Sequence, residues 1–144
     1  MAMAELQKDF HNLKILVVED DQNTMLLIKR MLLDLGVVHV YTCRDGVEAL
    51  KLLGSFDGQD LINLVLCDWK MPNMSGIEVL KQIRTCDPDL PFLMVTGQSD
   101  VDSVVEAKAY AVTAYIKKPF SMEELRKKLR IVRRMIKARE ATSA

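Results

Sequence analysis

Cysteine is scarce in this chain and poorly placed for chemistry. Cys43, Cys67 and Cys86 are an odd number, with no CxxC pair and no metal-ligand spacing to the isolated His11 or His39. Neither a disulfide framework nor a zinc site is indicated. Charge of one sign is lacking as well: lysine plus arginine number 20, and so do aspartate plus glutamate. No overall charge therefore favours nucleic acid or a membrane surface. No apolar run approaches the roughly 18 residues of a membrane span. The first dozen residues, with Glu5, Lys8 and Asp9, hold no signal-peptide core. There is no linker and no internal repeat. The expectation is one cytoplasmic domain of 144 residues with a modest single core.

What is present is a set of short apolar runs, each ending in polar residues. Lys14–Val18 runs into Glu19-Asp20-Asp21, and Leu61–Cys67 runs into Asp68 and then breaks into Pro72, Asn73, Ser75 and Gly76. Val37–Thr42, Pro91–Val95 and Thr113–Lys117 complete five strand candidates. Between them apolar residues recur at helical spacing: Met25, Leu26, Ile28, Met31, Leu32 and Leu35; Val47, Leu50, Leu52 and Leu53; Ile77, Val79, Leu80 and Ile83. Asp21, Asp45 and Ser75 are helix caps by type and place, while Ser99 with Asp102 and Ser121 with Glu124 have capping-box spacing. The last helix is expected to run to about Arg139, burying Met122, Leu125, Leu129, Val132 and Ile136.

Five strands alternating with five helices imply an α/β fold, a doubly wound parallel sheet with helices on both faces. Small sheets of this kind commonly take the order 2-1-3-4-5, which carries the ends of strands 1, 3, 4 and 5 to one edge. Glu19, Asp20, Asp68, Thr96 and Lys118 then converge there. Three carboxylates at one point repel unless a cation neutralises them. All-oxygen ligands suit Mg²⁺, with Mn²⁺ as a substitute. A lysine and a hydroxyl opposite them suit an anion. The combination is that of a phosphoryl-transfer site with Asp68 as nucleophile.

Val17-Val18-Glu19-Asp20, Asp68 to Gly76, Val95-Thr96 and Tyr115 to Phe120 resemble the signature of response-regulator receiver domains. The resemblance covers about residues 13–137 and implies a flavodoxin-like (βα)5 fold. It further implies that Asp68 accepts a phosphoryl group from a sensor histidine kinase or phosphotransfer protein. Glu19, Asp20, Asp68 and the backbone carbonyl of Lys70 would hold Mg²⁺, Lys118 and Thr96 would meet the phosphoryl group, and Thr96 with Tyr115 would form the switch. A downstream protein would read the face made by helix 4, strand 5 and helix 5, with the chain a monomer or a weak phosphorylation-dependent dimer. Trp69, Met71–Met74 and Leu93–Thr96 are most similar to chemotaxis members of the family; a phosphorelay shuttle fits nearly as well. On this reading residues 1–12 are a flexible extension, 13–139 the receiver domain and 140–144 a tail, with no output domain.

The chain departs from the family pattern at three places. Glu19 stands where Asp is often first in the acid pair, Ser75 replaces the usual Asp before Gly76, and Ala111 replaces a frequent Gly before strand 5. Lys70 and Gln98 occupy positions that in the family adjust the loss of the phosphoryl group, and both also read as solvated loop residues. Lys117 points away from Lys118. The last helix is basic at Arg126, Lys127, Lys128, Arg130, Arg133, Arg134, Lys137 and Arg139, a solvated face by default, with Ile131 and Met135 off its buried stripe. Other function classes compete less well. A phosphohydrolase would need a second acid where Lys70 stands, and a flavin or nucleotide carrier would need a phosphate loop where three acids stand. A phosphorylation-independent adaptor would not need Asp68, Thr96 and Lys118 together.

Overall fold

The computed structural model describes residues 10–55, 61–97 and 101–143. The elements follow one another as β1 (Lys14–Val18), α1 (Gln22–Asp34), β2 (His39–Cys43), α2 (Gly46–Gly54), β3 (Leu64–Asp68), α3 (Gly76–Cys86), β4 (Phe92–Thr96), α4 (Val101–Ala109), β5 (Ala114–Lys117) and α5 (Met122–Ser143). All strand pairs are parallel and the sheet order is β2-β1-β3-β4-β5. The expected alternation and strand order are both present.

Every residue of β3 and β4 is buried, as strands covered on both faces by crossover helices must be. Two apolar layers result. One joins Ile15, Val17, Leu66, Leu93 and Val95 to α1 and α5 through Ile28, Leu32, Leu125, Leu129 and Val132. The other joins Leu16, Val18, Val65, Cys67 and Met94 to α2 and α3 through Ala49, Ile77, Val79, Leu80 and Ile83. The α5 stripe is as the periodicity requires, with Met122 and Ile136 packed at its two ends. Cys67 is fully buried as a small hydrophobe, and burial holds its thiol well above the ordinary range.

Several boundaries differ from expectation. β2 starts at His39 and β3 at Leu64, each later than the apolar run, because Val37 and Ile62 fill the core from the preceding turns. Asp68 is itself the last residue of β3. Helix α5 continues past Arg139 to Ser143, where no glycine or proline stops it and Arg139 pairs with Asp87 at 3.3 Å. Phe10 is 2% exposed and packed among the core residues beside α1 and α5, so ordered structure begins before Leu13. Leu26 and Val47, expected on buried faces, are exposed. Gln98 and Ser99, and with Ser99 the expected capping box, lie outside the described residues.

Capping follows the side-chain chemistry. The Asp21 carboxylate accepts from the Thr24 N–H at 2.9 Å, Asp45 from Glu48 at 2.9 Å, and the Ser75 hydroxyl from Glu78 at 3.4 Å. At the Ser121 cap, Glu124 N–H donates to the hydroxyl at 3.1 Å. Ala111 takes φ 55°, the left-handed conformation that glycine adopts without cost. The turn is braced: Arg84 of α3 donates to the carbonyls of Tyr110 at 2.9 Å, Ala111 at 3.0 Å and Asp87 at 3.1 Å. Burial lowers the pKa of this guanidinium, which still remains charged.

Candidate functional site

Register brings the acidic residues together. Val18 of β1 is level with Cys67 of β3, so Glu19 and Asp68 are the next residues along on adjacent strands. The Glu19 N–H donates across to the Cys43 carbonyl at 3.1 Å, which extends the ladder one residue beyond β1. On the other side Asp68 is level with Val95, and Thr96 with Lys117. The Lys118 N–H donates to the Thr96 carbonyl at 2.6 Å, which carries the lysine past the end of β5. The Lys118–Pro119 peptide is cis. This is the crevice outside the strand ends where the strand order reverses, the usual ligand position in open α/β sheets.

The turn after β3 is closed by backbone contacts. Trp69 N–H donates to the Val95 carbonyl and Gly76 N–H to the Trp69 carbonyl, both at 2.8 Å. A Cβ on Gly76 would lie 2.4 Å from the Asp68 carbonyl oxygen, so only glycine lets α3 begin this close to the acid. Asn73, at φ 69°, makes the reversal between them.

Glu19, Asp20 and Asp68 each offer a carboxylate oxygen, and these oxygens lie within 4.8 Å of one another. Glu19 is 2% and Asp68 7% exposed, while Asp20 is open to solvent. Lys118 reaches over them: its Nζ is 3.0 Å from Glu19 Oε2 and 3.4 Å from Asp68 Oδ2. Burial pushes the Glu19 carboxyl up from 4.5 to about 7; the Lys118 hydrogen bond opposes this rise and the neighbouring Asp68 charge adds to it. Burial alone would depress Lys118, but the hydrogen bond to Glu19 and the two carboxylates raise it. One ammonium thus leaves the cluster short of positive charge. Close, oxygen-only and under-neutralised, it is a donor set that fits a hard divalent cation.

Other expected residues are placed differently around this centre. Thr96 is buried at the edge, and its hydroxyl is directed to the Ile116 carbonyl at 3.5 Å rather than to Asp68. Tyr115 is 42% exposed on edge strand β5, with the Lys128 ammonium 5.7 Å from its ring centre; it is not a core aromatic. Lys70 and Lys117 are exposed, and so are His11 and His39. Asp21 caps α1 and takes no place in the cluster. Ile131 and Met135 stand exposed on α5. Sequence reasoning assigned Glu19 to a metal and missed its direct pairing with Lys118. The one signal available was its length, a methylene beyond aspartate.

A doubly wound sheet with three carboxylates and a lysine gathered at its switch point defines a class of protein with a site capable of coordinating a divalent cation. Comparison with known proteins narrows this class. Residues 15–130 match the family model of the response regulator receiver domain. The chain is 38% identical over 122 residues to chemotaxis protein CheY-3 of Vibrio cholerae serotype O1, covering 82% of this chain and 89% of that protein. Among solved structures, a Vibrio cholerae chemotaxis protein CheY4 superposes with a TM-score of 0.74 at 32% identity, covering 83% of this chain and 98% of the other. A receiver domain protein from Clostridium thermocellum superposes with a TM-score of 0.79 at 26% identity, covering 90% and 98%. The chain belongs to the response regulator receiver domain family, and its members are phosphoacceptor switches of two-component signalling rather than conventional enzymes. Among the described residues no helix is long and apolar enough to cross a membrane.

Proposed function

We propose that Asp68 is the phosphoacceptor and that the Glu19, Asp20 and Asp68 carboxylates, with the backbone carbonyl of Lys70, hold Mg²⁺, or Mn²⁺ in its place. The observation that carries this reading is the convergence of three carboxylates within 4.8 Å under a lysine 3.4 Å from Asp68. When bound, the cation supplies charge neutralisation for phosphoryl oxygens. The phosphodonor is a phosphohistidine on a sensor kinase or phosphotransfer protein. An Asp68 oxygen attacks phosphorus, the phosphorus–nitrogen bond breaks, and its electron pair leaves with the imidazole. The product is an acyl phosphate on Asp68, and Lys118 compensates its charge by a charge-assisted hydrogen bond.

Read-out is a population shift. The Thr96 hydroxyl leaves the 3.5 Å contact with Ile116 for the new phosphoryl oxygens. Tyr115 moves inward from its exposed position, and the face made by α4, β5 and α5 changes for a downstream protein. The likeness to chemotaxis relatives supports a cytoplasmic chemotaxis role, as a monomer or a weak phosphorylation-dependent dimer. Binding of nucleic acid is not part of this reading.

Trp69 adjoins Asp68 and reports on the test. Mg²⁺ is titrated first, then acetyl phosphate or beryllofluoride is added, with Asp68→Asn as control. A Mg²⁺-dependent fluorescence change that is lost in Asp68→Asn, with one phosphoryl group gained in intact mass, is the expected result. No phosphoprotein would refute the mechanism and leave a phosphorylation-independent adaptor.

A further inference from the structure

The last turn of α4 is held from outside its own helix. Arg84 of α3 is half-buried, and its guanidinium collects three carbonyls: Tyr110 at 2.9 Å, Ala111 at 3.0 Å and Asp87 at 3.1 Å. A helix leaves its final carbonyls without partners, and a cation there also meets the negative end of the helix dipole. One turn earlier on α3, Lys81 Nζ lies 2.9 Å from Glu106 Oε1 and 5.2 Å from the Tyr110 ring centre. Among the described side chains of α4 only Ala107 is buried, so charge and hydrogen bonding hold this end where apolar packing is sparse. The anchor itself is firm. Helix α3 buries Ile77, Val79, Leu80 and Ile83, and a Cβ on its first residue, Gly76, would strike the Asp68 carbonyl. Just beyond the turn, the Thr113 N–H donates to the Phe92 carbonyl and the Phe92 N–H to the Thr113 hydroxyl, both at 2.9 Å. Side-chain contacts nearer the acceptor are looser. The Thr96 hydroxyl is 3.5 Å from the Ile116 carbonyl, and the exposed Tyr115 ring has the Lys128 ammonium 5.7 Å from its centre.

We propose that Arg84, with Lys81, is a positioning residue that makes the carboxyl end of α4 a pivot. Phosphorylation of Asp68 then rearranges the Tyr115 side of the read-out face and leaves Tyr110 and Ala111 in place. A guanidinium donating to three carbonyls holds all three in one geometry only, so moving Tyr110 breaks a charge-assisted hydrogen bond. Moving Tyr115 gives up an exposed cation–π contact, which is weaker. The phosphoryl group therefore shifts the population along the softer of the two coordinates. Lys81 supplies the smaller part of the hold, because its ion pair with Glu106 is exposed. A partner that touches Tyr110 alone binds both states alike, and one that reaches Tyr115 distinguishes them. The pivot rests on the acceptor and switch roles proposed above and adds the place where the change stops.

Fluorotyrosine labelling of the full chain gives a ¹⁹F signal for each of the three tyrosines, Tyr41, Tyr110 and Tyr115, assigned with Tyr110→Phe and Tyr115→Phe. Mg²⁺ and beryllofluoride load Asp68, and Trp69 fluorescence follows the loading. The quantity read is the change of each signal on loading, which a loss of stability alone does not move. In the unaltered protein Tyr115 should shift with the Trp69 midpoint, while Tyr110 stays as still as Tyr41 on β2. Arg84→Met keeps an apolar stem without the donors; Tyr110 should now shift on loading and the Tyr115 shift should shrink. Arg84→Lys keeps the charge without the fork and should fall between the two. Lys81→Met alters an exposed pair, which keeps the test open if Arg84→Met folds poorly; there too Tyr110 should shift, by less. A Tyr110 signal that shifts as much as Tyr115 in the unaltered protein would overturn the pivot alone. So would a Tyr110 signal that stays still in both Arg84 variants and in Lys81→Met. If beryllofluoride moves neither Trp69 nor Tyr115, the switch reading fails and the pivot with it.

Discussion

Replacing Glu19 by glutamine should change how stability depends on pH. The Glu19 carboxyl is raised from 4.5 to about 7, chiefly by burial. Between those values the folded protein keeps a proton that the unfolded chain has released. The contribution is therefore fully present below pH 4.5 and is lost as pH rises through 7. At ~1.4 kcal/mol for each pH unit in that window, the loss amounts to ~3–4 kcal/mol by pH 8, of which ~2–3 kcal/mol falls between pH 5 and 8. That is a large share of a typical domain's ~5–15 kcal/mol. Glutamine has the same shape and no titration, so Glu19→Gln should lack this component. The assay is urea unfolding of both proteins in EDTA at pH 5, 6, 7 and 8, using Trp69 fluorescence. The stability difference between them should drift by ~2–3 kcal/mol in favour of the variant as pH rises. Mg²⁺ should reduce the drift, because a cation favours the ionised carboxylate. Parallel stability curves in EDTA would refute the reasoning.

Three further outcomes can be checked by denaturant unfolding. Gly76→Ala would put a Cβ 2.4 Å from the Asp68 carbonyl; it should cost ~1–3 kcal/mol and alter the Trp69 response to Mg²⁺, and an unaffected protein would mean that the turn has slack. Ala111→Gly should raise stability by ~1 kcal/mol, because Ala111 is held at φ 55°; a loss would show that the Arg84 brace depends on the alanine. Leu129→Ala, at a fully buried position, should cost ~2–5 kcal/mol, whereas exposed Ile131→Ala should stay within ~0.5 kcal/mol. Equal costs would refute the assigned face of α5.

The sequence by itself determined the alternation of strands and helices, because buried parallel strands demand unbroken apolar runs and crossover helices demand a 3.6-residue stripe. It determined the caps at Asp21, Asp45 and Ser75, since capping is local chemistry read from residue type. The acidic and basic residues at the strand ends were legible for the same reason: position in a strand is local, and topology then gathers the ends. Only the tertiary structure decided which of these groups touch. Glu19 pairs with Lys118 across 99 positions of sequence, and no periodicity encodes a contact between strands 1 and 5. Tertiary packing also buried Phe10, exposed Leu26 and braced Ala111 through Arg84. Apolar residues outnumber the positions that the two layers can cover, so which of them lose water depends on neighbours far along the chain. The raised Glu19 carboxyl has the same origin. Its burial comes from the sheet closing around it, and electrostatic energy follows that burial rather than residue type.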